Sequence, residues 1–260
     1  MIIIPMAGQS ARFRQAGHDR PKYMLPLAGE SLFAHTVRSF AALFGREGFV
    51  FIHRDEPGVA GFIQQELARL GLPGARLVPL AGDTEGQAHT VHLGTRGLAA
   101  DEPITIFNID TIRPGYRPPA WQAGCDGWLE VFRGPGEHWS FAEAGPDGRV
   151  RRTAEKQRIS DLCSDGLYHF ARRALFDAAF EAARAAGERA RGEYYVAPLY
   201  NHLIARGADI RVREIAPDEV LFSGTPAEYE ALGRDAAALA RLAWPRREAP
   251  DTPTPRAEAA

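Results

Sequence analysis

Short apolar runs alternate with helix-like segments through the first 110 residues, and this alternation limits the possible folds more than any other feature. The apolar runs predict buried strands at residues 1–6, 49–53, 76–80 and 104–107. Apolar residues at helical spacing predict helices at residues 31–44, 59–70 and 87–98. Strands that alternate with helices form βαβ units around a parallel sheet. The first half therefore predicts an α/β fold, in which ligands bind beyond the carboxyl ends of the strands.

The pattern changes in the second half of the chain. Strands with intervening turn sequences, typical of antiparallel pairing, are predicted at residues 127–132, 140–144 and 150–153, and two further strands at residues 166–170 and 210–214. Helices are predicted at residues 174–186, 196–206 and 226–242, the last with Thr225 as its N-cap. We expect one domain over residues 1–243. The Pro-, Ala-, Glu- and Arg-rich remainder, residues 244–260, is predicted to be a disordered tail.

Composition and charge exclude several classes of function. The 260 residues carry a net charge of −2 and are 45% apolar, which is typical of a globular protein and favours neither a nucleic-acid nor a membrane partner. No apolar run approaches the roughly 18 residues of a membrane-spanning helix, and the N-terminus does not resemble a signal peptide. Cys125 and Cys163 have the spacing of neither a metal site nor a disulfide framework. We expect a cytoplasmic protein, and a homo-oligomer is compatible with the sequence.

The loop after the first predicted strand is the leading candidate for anion binding. Gly8 allows a ligand to approach the backbone closely, and the amides of residues 8–11 can form an anion-binding nest. Arg12 and Lys22 follow, one a planar fork and the other a compact ammonium, and both can meet phosphate oxygens. The alternative is an ordinary strand–loop–helix connection with a solvated arginine.

Lys22 and Lys156 are the only two lysines among the 31 basic residues. Where arginine serves almost everywhere, a retained lysine indicates a site that requires a compact ammonium. Lys22 follows the glycine-containing loop, and Lys156 precedes a predicted strand. The alternative is chance retention in an arginine-biased composition.

Two further loops follow predicted strands at the same edge of the sheet. Gly86 and Gln87 are suited to contact a flat nucleobase; alternatively, Thr84 caps the next helix and forms a capping box with Gln87. Asp110 follows the fourth predicted strand, where a carboxylate can hold a divalent cation against phosphates. A turn-capping aspartate is the alternative there. Three such loops at one edge favour a common ligand site.

Several short motifs, in order along the chain, resemble the nucleotidyltransferases of the sugar-phosphate pyrophosphorylase family. The matching pieces are residues 7–13, 21–27, 84–88, 108–110, 155–156, 164–170 and 224–226. Glu155-Lys156, followed by Ile-Ser-Asp-Leu, is similar to a subgroup associated with capsule and surface-polysaccharide gene clusters. The resemblance implies a GT-A-like, Rossmann-like three-layer α/β fold with a mixed, mainly parallel central sheet.

The resemblance also implies a reaction. An NTP and a phosphorylated small-molecule acceptor, such as a sugar 1-phosphate, would give an NDP-linked product and pyrophosphate, with Mg²⁺ as the cofactor. Residues 1–115 would form the nucleotide-binding half and residues 116–243 the acceptor-binding half. The residues that would contact the nucleotide are Ala7, Gly8, Gln9, Ser10, Gly86, Gln87 and Asn108.

The remaining roles implied by the resemblance fall on charged residues. Arg12 and Lys22 would be the catalytic cations that neutralise the triphosphate. Asp110 would ligate Mg²⁺. Glu155 would contact acceptor hydroxyls, and Lys156 would contact the acceptor phosphate.

Two positions depart from the family's motifs, and one pair of residues has an open role. Ser10 stands where a glycine is common. Phe222 stands where many members place an aspartate as the second metal ligand, so the cation would rest on Asp110 with phosphate oxygens and water, or on a substitute carboxylate. Tyr194, like Tyr195, would line the acceptor pocket or pack in the core.

Two other functions are compatible with these residues. A glycosyltransferase of the same fold would use residues 108–110 as its metal motif and release NDP. Arg12 and Lys22 argue against it, because a sugar nucleotide needs less neutralisation than a triphosphate. A non-catalytic protein that binds a nucleotide or sugar phosphate would account for Phe222.

Overall fold

A mixed β-sheet between two layers of helices forms the centre of the computed structural model, which describes residues 1–242. The predicted α/β class is therefore confirmed, whereas the tail predicted at residues 244–260 lies outside the described residues. Among residues 1–242, no helix combines the length and apolar character needed to cross a bilayer.

The strands vary from two to nine residues in length. They are β1 (Ile2–Met6), β2 (Pro26–Leu27), β3 (Glu30–Ser31), β4 (Phe49–Arg54), β5 (Arg76–Leu80), β6 (Ile104–Phe107), β7 (Thr111–Ile112), β8 (Gly127–Arg133), β9 (Ser140–Ala144), β10 (Val150–Glu155), β11 (Leu162–Phe170), β12 (Ile210–Ile215) and β13 (Leu221–Phe222). The α-helices are α1 (Ala11–Gln15), α2 (Leu32–Arg38), α3 (Val59–Leu70), α4 (Gln87–Thr95), α5 (Arg173–Ala185), α6 (Tyr200–Ile204), α7 (Pro226–Arg234) and α8 (Ala236–Arg241).

The first half of the chain supplies four parallel neighbours in the order β5-β4-β1-β6. Alternate residues of β1 point to opposite faces of the sheet. Ile2 and Ile4 pack in the cluster that contains side chains of α2 and α3, whereas Ile3 packs in the cluster that contains those of α4 and α5. This two-sided burial explains why these strands are continuous apolar runs in the sequence.

The direction of the strands reverses where the second half joins the first. β11 runs antiparallel to β6 and to β8, while β12 pairs with β8 in parallel. The hairpin of β9 and β10 attaches near the start of β11. The pairing of β11 with β8 shifts register between Ser164 and Tyr168, and Gly166 in this bulge has a φ of 94°. A Cβ at Gly166 would lie 2.2 Å from Asn108 Nδ2, so the bulge requires glycine.

The predicted helix over residues 226–242 is two helices. It begins as predicted: Thr225 Oγ1 accepts a hydrogen bond from the amide of Glu228, and the carboxylate of Glu228 accepts one from the amide of Thr225. It breaks at Asp235, whose carboxylate accepts hydrogen bonds from the amides of Ala237 and Ala238. A side chain that caps the following turn competes with continuation of the helix, which explains the break.

Two other predicted helices are also shorter in the structure, because tertiary packing holds parts of them in other conformations. The helix predicted at residues 31–44 is capped by Ser31 as expected but ends at Arg38, and a separate 3₁₀ turn follows at Ala41–Leu43. The helix predicted at residues 196–206 consists of a 3₁₀ turn, Ala197–Leu199, and the short α6. Tertiary packing of a few aromatic and aliphatic side chains holds these segments without a continuous helix.

Arg113 and Glu130 form a buried ion pair that connects β8 to loops next to β7 and β13. Arg113 Nε donates to Glu130 Oε1 at 2.7 Å, and the two side chains are 4% and 0% exposed. Arg113 also donates to Glu219 at 3.0 Å, just before β13. Arg213 Nε lies 3.2 Å from Glu130 Oε2 without the geometry of a hydrogen bond. The pair thus connects β8 with the segments that carry β7 and β13.

We expect Glu130→Gln to lower the free energy of unfolding by about 3 kcal/mol or more, because it removes the buried carboxylate that Arg113 pairs with and leaves it only the half-exposed Glu219. Urea denaturation would measure the change. Glu143→Gln is the matched control. Glu143 pairs with Arg152 on the neighbouring strand, and the side chain of Arg152 is 60% exposed. That control should cost less than about 1 kcal/mol. Equal effects in the two variants would contradict the structural importance of the buried pair.

Candidate active site

A cleft of about 790 Å³ opens at the carboxyl ends of the parallel strands. Its walls come from the loops after β1, β5 and β6, from the bulge of β11, and from the end of β10. The residues assigned from the sequence that line it are Ala7, Gly8, Gln9, Arg12, Lys22, Gly86, Gln87, Asn108, Asp110, Glu155 and Lys156. Residues from both halves of the chain therefore share one cavity.

The loop after β1 keeps the backbone shape that a glycine would favour. Ser10 has a φ of 52° and a ψ of 32°, which is the left-handed region that non-glycine residues rarely adopt. Its hydroxyl accepts a hydrogen bond from the amide of Lys22 at 3.3 Å. Gln9 donates to Asp83 at 2.9 Å, and Arg54 holds the same carboxylate oxygen at 2.6 Å. The departure at Ser10 thus preserves the loop conformation at some cost in strain, and the loop is tied to its neighbour after β5.

Lys22 and Asp110 form an ion pair on the floor of the cleft. Lys22 Nζ lies 2.5 Å from Asp110 Oδ2, and both side chains are about one-fifth exposed, at 22% and 21%. The backbone carbonyl of Asp110 accepts hydrogen bonds from both the amide and the hydroxyl of Ser223, each at 2.9 Å. These bonds, beside the pairing of β7 with β13, fix the backbone of Asp110 at this edge of the cleft.

The loop after β5 is shaped by contact with the backbone of Tyr194. The amide of Tyr194 donates to Glu85 O at 2.7 Å, and its carbonyl accepts from Ala88 at 3.0 Å. Gly86, with a φ of 114°, is the N-cap of α4, and a Cβ there would lie 2.6 Å from the carbonyl oxygen of Tyr194. The capping-box alternative for Thr84 is thus wrong. Gln87 Nε2 donates to Asn108 Oδ1, which links this loop to the loop after β6.

The side chain of Tyr194 packs in the core, which corrects its assignment to the acceptor pocket. It is 3% exposed, and its ring lies 5.6 Å from the ring of Phe180. Its backbone hydrogen bonds with Glu85 and Ala88 hold this segment against the loop after β5 and the start of α4. Tyr195 faces the cleft in its place.

Glu155 and Lys156 form a second pair of opposite charges across the cleft. Lys156 Nζ lies 3.5 Å from Glu155 Oε1, and it also contacts the hydroxyl of Tyr195. Glu155 accepts a hydrogen bond from Ser140; burial raises the pKa of Glu155, and this hydrogen bond opposes the increase. Lys156 has a φ of 53°, so its backbone is held in a strained conformation that aims the ammonium into the cleft.

Sequence reasoning missed several residues that line the cleft. Arg191 is the most informative, because it also has a positive φ, 50°, and places a cation near Tyr195 and Glu193 in the lining. The sequence Arg-Gly-Glu at 191–193 was the available signal, since glycine next to charged residues marks a tight loop. The contact of Ser140 with Glu155 joins two strands of a hairpin, and sequence alone did not indicate it.

Asp165 lies in the β11 bulge, where its side chain is buried. Burial raises the pKa of Asp165 well above its usual range, and the neighbouring Glu130 raises the pKa further. Asp165 Oδ1 accepts a hydrogen bond from the amide of Leu167 at 3.0 Å. Among residues 1–242, Asp165 Oδ2 and Glu130 Oε2 are both buried without a hydrogen-bond partner. The carboxyl group of Asp165 is thus buried near that of Glu130, an arrangement that disfavours a negative charge on Asp165.

Phe222 belongs to an aromatic cluster in the lining of the cleft. Its ring centroid lies 4.7 Å from that of Trp139 and 5.3 Å from that of Phe132. Within residues 1–242, no group of three or more His, Cys, Asp or Glu side chains is placed to hold a metal ion. Asp110 still fits a hard cation, since a Cβ at Gly224 would lie 2.8 Å from its Oδ2, so that the glycine leaves space beside the carboxylate.

Comparison with known proteins identifies the family, although no family model matches the chain. The chain is 30% identical over 190 residues to 2-C-methyl-D-erythritol 4-phosphate cytidylyltransferase of Bordetella pertussis, which covers 72% of this chain and 79% of that protein. The chain belongs to the nucleotidyltransferase family. The crystal structure of the nucleoside-diphosphate-sugar pyrophosphorylase from Vibrio cholerae RC9 matches this nucleotidyltransferase with 45% identity and a TM-score of 0.86, over 90% of this chain and 100% of that chain.

A more distant structure shares the fold of this nucleotidyltransferase. The inositol-1-phosphate CTP transferase from T. maritima superposes with a TM-score of 0.69 over 93% of this chain and 94% of that chain, with 14% identity. At this level of identity the similarity concerns the fold alone. The fold expected from the resemblance, with its mixed sheet and a cleft at the carboxyl ends of the strands, is confirmed.

We expect Asp165→Asn to remove a pH dependence from the stability of the enzyme. Because folding raises the pKa of Asp165, the folded chain binds more protons than the unfolded chain above the unfolded pKa of about 4. The free energy of unfolding therefore falls as the pH rises from about 4 through the folded-state pKa. The wild type should lose stability relative to Asp165→Asn over that range, as measured by urea unfolding at several pH values.

The control for this experiment is Asp161→Asn, because the Asp161 side chain is 69% exposed. Its stability curve should stay parallel to that of the wild type. A wild-type curve that also runs parallel to that of Asp165→Asn would contradict the raised pKa.

Proposed function

We propose that this nucleotidyltransferase condenses an NTP with a phosphorylated small-molecule acceptor to give an NDP-linked product and pyrophosphate. The observation that carries the proposal is the pair of ammonium groups in one cleft. Lys22 lies beside Asp110, and Lys156 lies beside Glu155. A reaction between two phosphorylated substrates needs a cation at each, and these are the only lysines in the chain.

The nucleotide base is assigned to the loops after β1, β5 and β6. Gln87 and Asn108 carry amide groups that both donate and accept hydrogen bonds, which suits the edge of a base. Ala7, Gly8 and Gly86 leave the backbone accessible beside them. We assign further nucleotide contacts to the two remaining loop residues, Gln9 and Ser10.

Arg12 and Lys22 are assigned to the triphosphate. Both line the cleft close to the loop after β1, and cations there oppose the charge that develops on the leaving pyrophosphate. Asp110 is assigned to Mg²⁺, which prefers one or two carboxylates together with phosphate oxygens and water. When bound, the cation would supply further neutralisation of phosphate charge.

The acceptor is assigned to the opposite wall. The compact Lys156 ammonium, with Tyr195 and Arg191 beside it, suits a phosphate group. The buried carboxylate of Glu155 and the hydroxyl of Ser140 suit acceptor hydroxyls. An acceptor phosphate oxygen would bond to the α-phosphorus of the NTP as the bond to the β-phosphate oxygen breaks, and pyrophosphate leaves in line. The protein contributes mainly positioning and charge stabilisation.

A sugar 1-phosphate is the acceptor that we favour. The wall that contains Lys156 also contains Trp139 and Ser140, which suit the apolar face and the hydroxyls of a sugar. The V. cholerae relative is named as a nucleoside-diphosphate-sugar pyrophosphorylase. We further propose that the product serves surface-polysaccharide synthesis in the cytoplasm, as the Glu155-Lys156 motif suggested. A homo-oligomer is compatible with this role.

The central test is a pyrophosphate-release assay of four NTPs against a panel of phosphorylated acceptors. Release that requires one NTP and one acceptor supports the proposal. Release of NDP without pyrophosphate would instead support a glycosyltransferase. Tight NTP binding without turnover on any acceptor would support the non-catalytic alternative that Phe222 suggests.

We expect Lys22→Ala and Asp110→Ala each to abolish turnover while the fold stays intact, because each removes a charged group from the triphosphate side of the cleft. Pyrophosphate release would measure activity, and circular dichroism would monitor the fold. Asp101→Ala is the control, since Asp101 is exposed before β6, at the opposite end of the strand from Asp110. Near-normal turnover in either site variant would reject the role of that residue.

We expect Lys156→Ala to raise the KM for the acceptor more than the KM for the NTP, because its ammonium lies on the acceptor wall beside Glu155 and Tyr195. Steady-state kinetics with each substrate varied in turn would measure the two constants. A larger change in the KM for the NTP would reject the assignment of Lys156 to the acceptor phosphate.

A further inference from the structure

The cation site proposed above has one evident protein ligand, Asp110, and the residue expected to supply a second has no oxygen in its side chain. Phe222 packs its ring against Trp139 and Phe132 instead. The strand that carries it, β13, is nevertheless paired with β7 next to Asp110. Another oxygen close to Asp110 is therefore needed if the protein supplies two carboxylates.

Gly224 leaves a gap that two carboxylates share. A Cβ at this position would lie 2.8 Å from Asp110 Oδ2 and 3.5 Å from Glu228 Oε2. Gly224 is not among the glycines with positive φ, so its backbone conformation does not itself require glycine. The missing side chain therefore provides space, and that space is bounded by one oxygen from each carboxylate.

Glu228 is held at this gap by the start of α7. Its Oε2 accepts a hydrogen bond from the amide of Thr225 at 2.9 Å, and its own amide donates to Thr225 Oγ1 at 3.2 Å. Its Oε1 makes no hydrogen bond with any of residues 1–242. The side chain also lines the cleft. Oε2, the oxygen that borders the gap, is thus fixed by the amide of Thr225, and a carboxylate oxygen that accepts one hydrogen bond keeps a second lone pair for a ligand.

The separation of the two carboxylates is set by the backbone. Ser223 binds the carbonyl of Asp110 through both its amide and its hydroxyl, and Phe222 pairs with Thr111 in the two-stranded sheet. Gly224 and Thr225 follow directly, so only a short, hydrogen-bonded segment connects Asp110 to the helix that carries Glu228. Such a connection can hold two ligands at a constant distance.

We infer that Glu228 is the second carboxylate of the divalent-cation site and faces Asp110 across Gly224. This inference rests on the proposed function, since that function supplies the polyphosphate oxygens that would complete the coordination. Mg²⁺ commonly uses one or two carboxylates with substrate phosphates and water. The side-chain oxygen that Phe222 lacks is then supplied from the first turn of the next helix.

The test measures binding of Mn²⁺ alone to the full chain, by the electron paramagnetic resonance signal of free Mn²⁺. Glu228→Gln removes the charge but keeps the capping box, because glutamine also serves at that position. We expect it to raise the Kd for Mn²⁺ by about tenfold or more without a change in Tm. Glu230→Gln is the matched control on the same helix, since Glu230 is 56% exposed and pairs with Arg234. It should bind Mn²⁺ like the wild type.

Two further variants keep the inference open to rejection. Gly224→Ala fills the shared gap with a methyl group while both carboxylates remain, and we expect it also to weaken Mn²⁺ binding. Wild-type affinity in Glu228→Gln, or in Gly224→Ala if Glu228→Gln does not fold, would overturn the role of Glu228. Asp110→Asn separates this failure from failure of the proposed cation site. If Asp110→Asn loses Mn²⁺ binding and Glu228→Gln does not, the cation site stands and the role of Glu228 is rejected. If neither variant changes Mn²⁺ binding, the cation site itself is rejected.

Discussion

The reversal of strand direction between β6 and β11 determines where everything else in the cleft is placed. Because β11 is antiparallel to β6, its beginning lies beside the carboxyl end of β6, and the bulge at Gly166 packs directly against Asn108. Arg12, Gln87 and Asp110 follow the parallel strands β1, β5 and β6, and they therefore reach this same edge. The hairpin of β9 and β10 then brings Glu155 and Lys156 to face them. One change of direction thus joins two halves of the sequence in a single cavity.

Charge is arranged at two depths around this junction. Beneath the cleft, Arg113 and Glu130 are buried as a pair, and burial near Glu130 raises the pKa of Asp165. In the lining of the cleft, each ammonium has a carboxylate beside it, and the carboxylate of Glu155 is itself only 4% exposed. The Arg113–Glu130 pair holds the strands and the β13 segment together, while the two ammonium groups face the cleft. The two sets of charges therefore differ in whether they face the cleft rather than in burial alone.

Sequence reasoning succeeded where local pattern and tertiary structure agree. The strands at Arg76–Leu80 and Ile104–Phe107 and the helix at Val59–Leu70 have the predicted bounds, because each is an uninterrupted apolar or amphipathic segment between clear turns. The motifs at Lys22, Asp110 and Lys156 were also found, and the cleft contains all three residues.

Sequence reasoning failed where a side chain's direction depends on distant backbone. Nothing local distinguishes Tyr194 from Tyr195; hydrogen bonds to Glu85 and Ala88 decide which ring faces the core. The left-handed conformations of Ser10, Lys156 and Arg191 were equally hidden, because such strain persists only when surrounding structure imposes it. The helix break at Asp235 was missed because its side chain can either extend a helix face or cap a new turn.

The ion pair between Lys22 and Asp110 has a consequence for selectivity. In a cleft without substrate, the two groups neutralise one another at 2.5 Å. A simple anion such as inorganic phosphate would draw the ammonium away and leave the half-buried carboxylate uncompensated, so it gains little. A complex of polyphosphate and a divalent cation satisfies both groups at once, since each exchanges one partner of opposite charge for another. If the cleft binds the substrates proposed above, this ion pair favours ligands that bring charges of both signs over simple anions.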